Sequence, residues 1–321
     1  MILAAVRAAR SWPLGGYGAA AVAVLIWASY PVATRDGVSG SFEPLELMLL
    51  RFGVGALLFL PYLALQFRAI RRDAWLRGVP LTLFQGAGMA ALVIYGLQFA
   101  PASHAAALGP GVAPAWVVLL GFLLFARRPP TLTTIGAVLC AVGVAMLVAW
   151  SSSAANPYVL AGDAMFVGAS ALGALYVLQL RNWGIGAVQG AAIVTLYSAL
   201  VVVPWYLWST SEVPWRTTPP ELLWQLLWQG VLIGCVALVA LNCAIARLGP
   251  ERASALVALV PALSAALACL FLGETPSAVE IAAILAISAG VSIGASRDYA
   301  GKPAASSAAA NSAACGLSRP G

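Results

Sequence analysis

Five charged or titratable side chains stand out because they sit within, or at the ends of, long apolar runs: Arg51, His104, Asp163, Glu274 and Glu280. Arg51 lies about two helical turns beyond Pro44, roughly 10 Å along a helix axis. A guanidinium at that depth in hydrocarbon costs about 2.5–3.5 kcal/mol, so it must face protein or water and be paired. It is an anion contact, one half of a gating ion pair, or a packing anchor for a carboxylate such as Glu274 or Glu280. Asp163 and Glu280 fall near expected helix N-termini, where free N–H groups and the macrodipole stabilise a carboxylate. His104, the single histidine, opens an apolar run. It can titrate near neutral pH, or serve as an interfacial cap or surface residue.

Uncharged polar residues form a second set. Gln85, Tyr95, Gln98, Tyr176, Gln179 and Asn242 lie inside apolar runs, where each must find a hydrogen bond or line a water-filled cavity. Trp27 and Tyr30, one turn apart, form an aromatic wall or anchor at a membrane interface. Pro114 and Pro261 each remove a helix hydrogen bond mid-run and are candidate hinges or static kinks. Glycines crowd the same runs; the pair Gly290 and Gly294 allows close helix contact.

Several chemistries find no support. Gly37-Val38-Ser39-Gly40 has the GxSG form of an intramembrane serine nucleophile, but no histidine lies on a facing run. There is no HExxH, no pair of intramembrane aspartates and no phosphate-cradling loop, so an enzyme is not expected. Cys140, Cys235, Cys243, Cys269 and Cys315 show no CxxC spacing and no nearby histidine. They read as small packing residues, without a disulfide framework or metal site. No cofactor is implied.

The elements that must position these residues follow from composition. Of 321 residues, 62% are hydrophobic and 9% charged, against about 25% charged in a soluble domain. The bilayer core is the solvent that removes this conflict. Apolar stretches long enough to cross about 30 Å recur at 14–33, 44–66, 80–99, 105–125, 131–150, 159–178, 187–207, 222–244, 253–272 and 279–295. Short breakers separate them: Asp36-Gly37, Arg128-Pro129-Pro130, Asn156-Pro157, Thr218-Pro219-Pro220, Gly249-Pro250 and Glu274-Thr275-Pro276. Residues 1–13 read as a cytoplasmic N-terminus leading into a retained first helix, because no small-residue cleavage site follows the two arginines. Residues 296–321 read as a low-complexity cytoplasmic tail.

The net charge of +6 raises the question of an anionic partner such as nucleic acid, but the placement of the basic residues answers it. With the N-terminus in the cytoplasm, 14 of the 17 Arg and Lys face inward. Arg35 and Arg216 face outward, and Arg51 lies within a span. That bias is the positive-inside rule, with both ends cytoplasmic.

An internal repeat accompanies the spans. A shift of 147 residues places Pro114 on Pro261, Ala115 on Ala262, Pro129 on Pro276 and Gly143 on Gly290. The same shift relates Tyr95 to Asn242, which makes them the preferred pocket pair. Five spans per half is odd, so the halves enter the membrane in opposite directions. The expected fold is all-α and polytopic: ten transmembrane helices as two inverted five-helix repeats, residues 14–150 and 159–295. Inverted repeats commonly place a substrate site at the bilayer midplane.

The chain resembles EamA-type proteins of the drug/metabolite transporter superfamily, the ten-helix class. The resemblance covers about residues 18–294. It is carried by IWASYPVATR in the first span, LLRFGVGALLFLP in the second, ARLGPERASALVALVPALSAALACLFLGETPS through the ninth and IAAILAISAGVSIG in the last. The Gly-Glu turn common in the family is kept as Gly273-Glu274 and replaced by Ala126-Arg127 in the first half. The family pattern also carries the arginine at Arg51 and the tryptophan at Trp27. The resemblance implies a multi-pass inner-membrane transporter of a small metabolite working by alternating access. It does not fix the substrate, since the superfamily spans amino acids, sugars, nucleotide derivatives, polyamines and drugs; amino acid export is the specific expectation because EamA-type proteins of bacteria often do this. It implies a cavity lined by the first, third, fourth, sixth, eighth and ninth spans. A lipid flippase on the same fold is the alternative, marked by a fenestration between helices. Proton coupling would need a carboxylate deeper in the bundle than any evident here.

Overall fold

The computed structural model describes residues 15–126, 129–153, 157–209, 217–248 and 256–295. Among the described residues the regular structure is entirely helical. Helix α1 (Gly15–Ser39) is followed by α2 (Pro44–Leu49), a π-helical stretch π1 (Leu50–Val54) and α3 (Gly55–Gln66), which together form one continuous rod. Next come α4 (Arg72–Gln85), α5 (Ala87–Phe99), α6 (Ala102–Leu108), α7 (Ala113–Phe125) and α8 (Thr131–Ser153). The second half contains α9 (Pro157–Asn182), α10 (Ala187–Ser209), α11 (Pro219–Gln225), a second π segment π2 (Leu226–Val236), α12 (Ala237–Leu248), α13 (Val260–Leu272) and α14 (Ala278–Ala295). Seven helices among the described residues are long and apolar enough to cross a membrane, and two shorter apolar helices lie at Val260–Leu272 and Ala278–Gly294.

Two expected boundaries move. The Asp36-Gly37 breaker is absorbed into α1, which runs on to Ser39. Gly37 is needed there for packing: a Cβ on it would lie 2.9 Å from Gln225 Nε2. The third run begins at Arg72 rather than at 80. Its first two turns are polar and anchored by Asp73, which pairs with Arg71 at 2.9 Å and Arg77 at 3.5 Å. Several breakers hold. Thr218 and Glu221 form a capping box around the two prolines that open α11.

The repeat is visible in the residue ranges of the elements. Helices α7 and α13 begin at 113 and 260 and end at 125 and 272; α8 and α14 begin at 131 and 278. Each pair is 147 residues apart. Helices α7 and α13 end in left-handed residues at matching positions, Ala126 (φ 50°) and Gly273 (φ 65°).

Pro114 and Pro261 do not kink continuous helices, contrary to the mid-span reading. The chain leaves helical geometry at residues 109–112 and at 258–259, and each proline sits in the first turn of the helix that follows. Its missing N–H is one of the unpaired groups of a helix start in any case. The third run is interrupted too, at Gly86, and the residue 147 positions on lies within π2, where the helix stays unbroken but is wound more widely. Backbone freed at such breaks must be satisfied inside the protein. Ser198 Oγ of α10 accepts from Ala87 N at 3.0 Å, and Ser170 Oγ of α9 donates to Gly109 O at 2.7 Å.

The halves meet through α8 and α14, which run antiparallel. A Cβ on Gly136 would lie 2.5 Å from Gly290 O, and one on Gly143 would lie 2.8 Å from Ala283 O. Only glycine permits so close an approach of two backbones. The largest apolar cluster, around Leu108, Leu147, Phe166, Ile284 and Ile287, draws on both halves.

Candidate functional site

One end of the bundle carries the end of α1, the starts of α2, α6, α9, α11 and α14, and the end of α8; it is called here the far end. It holds a buried polar network. His104 of α6 is 1% exposed and Asp163 of α9 is fully buried. His104 Nδ1 lies 2.9 Å from Asp163 Oδ1, and His104 Nε2 lies 2.7 Å from Glu280 Oε1 of α14. Ser151 Oγ, at the end of α8, donates to Asp163 Oδ2 at 2.5 Å. Ser277 N donates to Glu280 Oε2 at 2.5 Å, and Glu280 N donates to Ser277 Oγ at 3.3 Å. Glu274 accepts from Ala102 N at 2.7 Å and from both Ser103 N and Ser103 Oγ. That carboxylate caps α6, where free amides and the helix dipole favour a negative charge. The network ties together α6, α8, α9 and α14.

This arrangement corrects several expectations. His104 is no cap or surface residue. It is buried because α6 is packed on every side, with all its residues Ala102–Leu108 buried. Asp163 is not held by the amides of its own helix start but by His104 and Ser151. The sequence singled out Asp163 as a helix-end carboxylate; the structure buries it completely. Ser277-x-x-Glu280 was legible as a capping box. Ser151 carried no local signal, because its partner is on another helix.

The second polar locus is at Arg51, placed in π1. Its partner is neither Glu274 nor Glu280, which are engaged at α6. Arg51 Nη1 donates to Tyr30 Oη at 2.6 Å, and its guanidinium lies 5.0 Å from the Tyr30 ring centroid and 5.7 Å from that of Phe52. Among the described residues no carboxylate forms an ion pair with it. The π turn widens the helix by one residue and faces π2 through close backbone contact. A Cβ on Gly230 would lie 2.7 Å from Val54, and Gly234 approaches Arg51 O. Above this contact Gln225 Nε2 donates to Ala33 O at 2.7 Å, and Gln229 Nε2 donates to Thr34 Oγ1 at 2.9 Å. Both glutamines are buried, and Gln229 Oε1 has no partner among the described residues. Arg35, on the same helix as Tyr30, donates to Leu97 O and so caps the end of α5.

The structure distributes the other candidates. Trp27 packs with Val260, Leu263 and Leu267 of α13. Tyr95 packs in a cluster with Phe42, Leu45 and Ile94. Tyr176 packs in a separate cluster with Ile185 and Ala192, near Gly190. Gln85 is half-buried beside Gly173. The side chain of Asn242 lies outside the described residues. Tyr30 and Arg51 are brought together, as are His104, Asp163 and Glu280. Among the described residues no group of three His, Cys, Asp or Glu side chains is disposed to hold a metal ion.

The distribution of charge is one-sided. Among the described residues Asp36, Glu43, Glu46, Asp163, Glu221, Glu274 and Glu280 lie toward the far end. Arg68, Arg71, Arg72, Arg77 and Arg247 lie at the other, with Asp73 as its only described carboxylate, whereas Arg35 lies at the far end.

No curated protein matches the sequence. A solved structure described only as "Crystal structure of protein" superposes with a TM-score of 0.58 at 18% identity, covering 87% of this chain and 96% of that one. That likeness concerns the fold. The sequence itself matches a transporter family twice, over residues 14–149 and 160–294, and two tandem matches of this kind agree with the paired elements 147 residues apart. The chain belongs to the EamA-like transporter family, and it is a multi-pass membrane protein of that transporter type.

Proposed function

We propose that the protein exports a small metabolite, an amino acid or a close relative, across the inner membrane by alternating access. Ten spans in two inverted sets of five, residues 14–150 and 159–295, exchange their tilt about the α8–α14 pair. Both chain ends lie in the cytoplasm, so the far end is the outer face, which agrees with the one-sided placement of arginine. The observation that carries the reading is the contact of equivalent residues from the two halves at α8 and α14. Halves related in this way can swap conformations, which converts an inward-open state into an outward-open one.

Arg51 then supplies the anionic contact. It is a half-buried guanidinium that has a phenol but, among the described residues, no carboxylate for a partner, and a substrate carboxylate completes the pair. Tyr30 positions it. Trp27, Gln85, Tyr95, Tyr176 and Asn242 are the remaining wall candidates. Asp163, Glu274 and Glu280 act at the outer gate. The breaks ahead of Pro114 and Pro261, rather than the prolines themselves, are the flexible points.

The test is counterflow of radiolabelled amino acids into proteoliposomes. Accumulation of at least one amino acid, lost on Arg51→Gln with the protein still folded, supports the proposal. Movement of a sugar or polyamine and no amino acid overturns the substrate class.

A lipid flippase remains a second reading because of one feature. An apolar crevice of about 210 Å³, lined by Ala262, Ala265, Cys269, Pro276, Ile281 and Leu285, opens between α13 and α14. Scrambling of a fluorescent phospholipid in the same vesicles would favour it.

A further inference from the structure

We propose that His104, Asp163 and Glu280 bind one shared proton, and that this proton locks the far end of the bundle shut until it is released to the outer solution. The inference rests on the alternating-access reading for its consequence, but the site itself stands on hydrogen-bond geometry.

An ionised carboxylate only accepts hydrogen bonds, and a neutral imidazole carries a single N–H. Here both ring nitrogens of one histidine lie within 2.9 Å of carboxylate oxygens, at 2.9 Å and 2.7 Å. A neutral ring between two ionised carboxylates would set a nitrogen lone pair against an oxygen on one side. The geometry therefore needs one proton more than that set carries, on the imidazole or on one of the two carboxyls.

Among the described residues no other donor relieves the conflict. Asp163 Oδ2 is taken by Ser151 and Glu280 Oε2 by the Ser277 amide. His104 and Asp163 are shut off from solvent and the Glu280 side chain is 14% exposed, so water screens the Asp163 side of the ring least, and an ionised carboxylate buried there without a cation is costly. The neighbouring elements bring no competing cation. The α13–α14 connection brings Glu274, spent on the amides of α6. Helix α1 brings Arg35, engaged with Leu97 O, and the exposed Asp36. Helix α5 brings Tyr95, α9 the phenols Tyr158 and Tyr176 with Arg181 at its opposite end, α8 the thiol of Cys140, and α13 the exposed Cys269.

The proton acts as a lock because of which elements it joins. His104 is on α6, a two-turn helix that hangs between the Glu274 cap and the break at 109–112. Loss of the proton leaves the ring one N–H for two carboxylates, so one of its two attachments, to α9 or to α14, turns from attractive to repulsive. The device is one-sided. The counterpart of Glu280 in the first half is Thr133 and those of Asp163 at offsets of 147 and 143 are Gly16 and Ala20, none of them ionisable; that of His104 is Glu251, so the equivalent positions hold one ionisable residue where the device has three. The offset of 143 is that relating α10 (Ala187–Ser209) to the rod 44–66.

The experiment is hydrogen–deuterium exchange of the backbone amides of 102–108 in the full chain, reconstituted in lipid nanodiscs without substrate. It is run from about pH 5 to about pH 10 and corrected for intrinsic exchange. The expected result is a stepwise loss of protection of at least about tenfold on raising the pH, with the amides of 131–147 in α8 still protected. In Glu280→Gln the amide can accept from or donate to a neutral ring, so no extra proton is required and the step disappears. Asp163→Asn is expected to behave in the same way if the first variant folds poorly. A flat wild-type profile overturns the proposal, as does a step that persists in both variants or one that opens α8 equally. Counterflow at varied outer pH then separates the two claims. A protection step in a protein that moves no solute supports the lock and refutes the transport reading.

Discussion

Cys140 Sγ donates to the carbonyl oxygen of Ile287 at 3.6 Å, and these two residues are themselves 147 apart. Residues equivalent by the repeat thus touch each other, so the pseudo-two-fold axis passes between them. The surrounding contacts obey the same relation. Gly143 faces Ala283 O and Ile287, while its mate Gly290 faces Gly136 O and Cys140.

This contact leaves no room for a methyl group. Gly290→Ala places a Cβ 2.6 Å from Gly136 O and 2.7 Å from Cys140 Sγ. A loss of about 1–3 kcal/mol is expected from overpacking, read as a lower thermal midpoint in detergent. Gly168→Ala is the control, since its nearest atom, Leu92 Cδ1, is 3.6 Å away. Equal destabilisation by both would show that the α8–α14 approach is not tight.

The turn after α7 is strained where its counterpart is not. Ala126 holds φ 50° and Gly273 holds φ 65° at equivalent positions. Left-handed geometry costs an L-residue about 1–2 kcal/mol, offset in part by the chain entropy that glycine loses on folding. Ala126→Gly should stabilise by about 0.5–1 kcal/mol, and Gly273→Ala should destabilise by a similar amount. Midpoints that move in the same direction would contradict this.

Removing one member of the buried network strands the others. His104→Ala leaves Asp163 and Glu280 without their common partner, and such a loss costs about 3–5 kcal/mol. Glu274→Gln keeps part of the α6 cap and should cost less, about 1–2 kcal/mol. The order of the two midpoints decides the matter.

Arg51 and Tyr30 should be energetically coupled. A charge-assisted hydrogen bond contributes about 1.5–3 kcal/mol, so Arg51→Gln and Tyr30→Phe together should cost less than the sum of the two. Additive effects in this double-mutant cycle would mean that the contact is incidental.

The charge distribution predicts topology. Reporter fusions after residue 40 and after residue 70 should give opposite signals, the first outside and the second in the cytoplasm. Matching signals would remove one span between them.

Much of the fold was readable along the chain because hydrocarbon imposes a length and a composition on every crossing. The same holds for the repeat, since Pro114 and Pro261 mark equivalent helix starts. What those prolines do was misread. A proline within an apolar run looks the same in sequence whether it kinks a helix or opens a new one. The distinction lies in the dihedral angles of residues 109–112 and 258–259.

The site was legible only in part. Arg51, Asp163, Glu274 and Glu280 are conspicuous because charge is expensive in their surroundings. Their partners were not. Glu274 is 172 residues from Ala102, and His104 is 176 residues from Glu280, distances at which no local pattern carries information.

Sequence by itself determined that this chain lives in a membrane, that it is built twice, and that a few ionisable groups must be buried in it. These are consequences of solvent and of spacing, which act on each segment separately. Tertiary structure alone decided that His104 stands between two carboxylates and that Arg51 meets Tyr30 rather than an acid. Partner choice depends on which helix faces come within about 3 Å, and that is settled by the packing of the whole bundle.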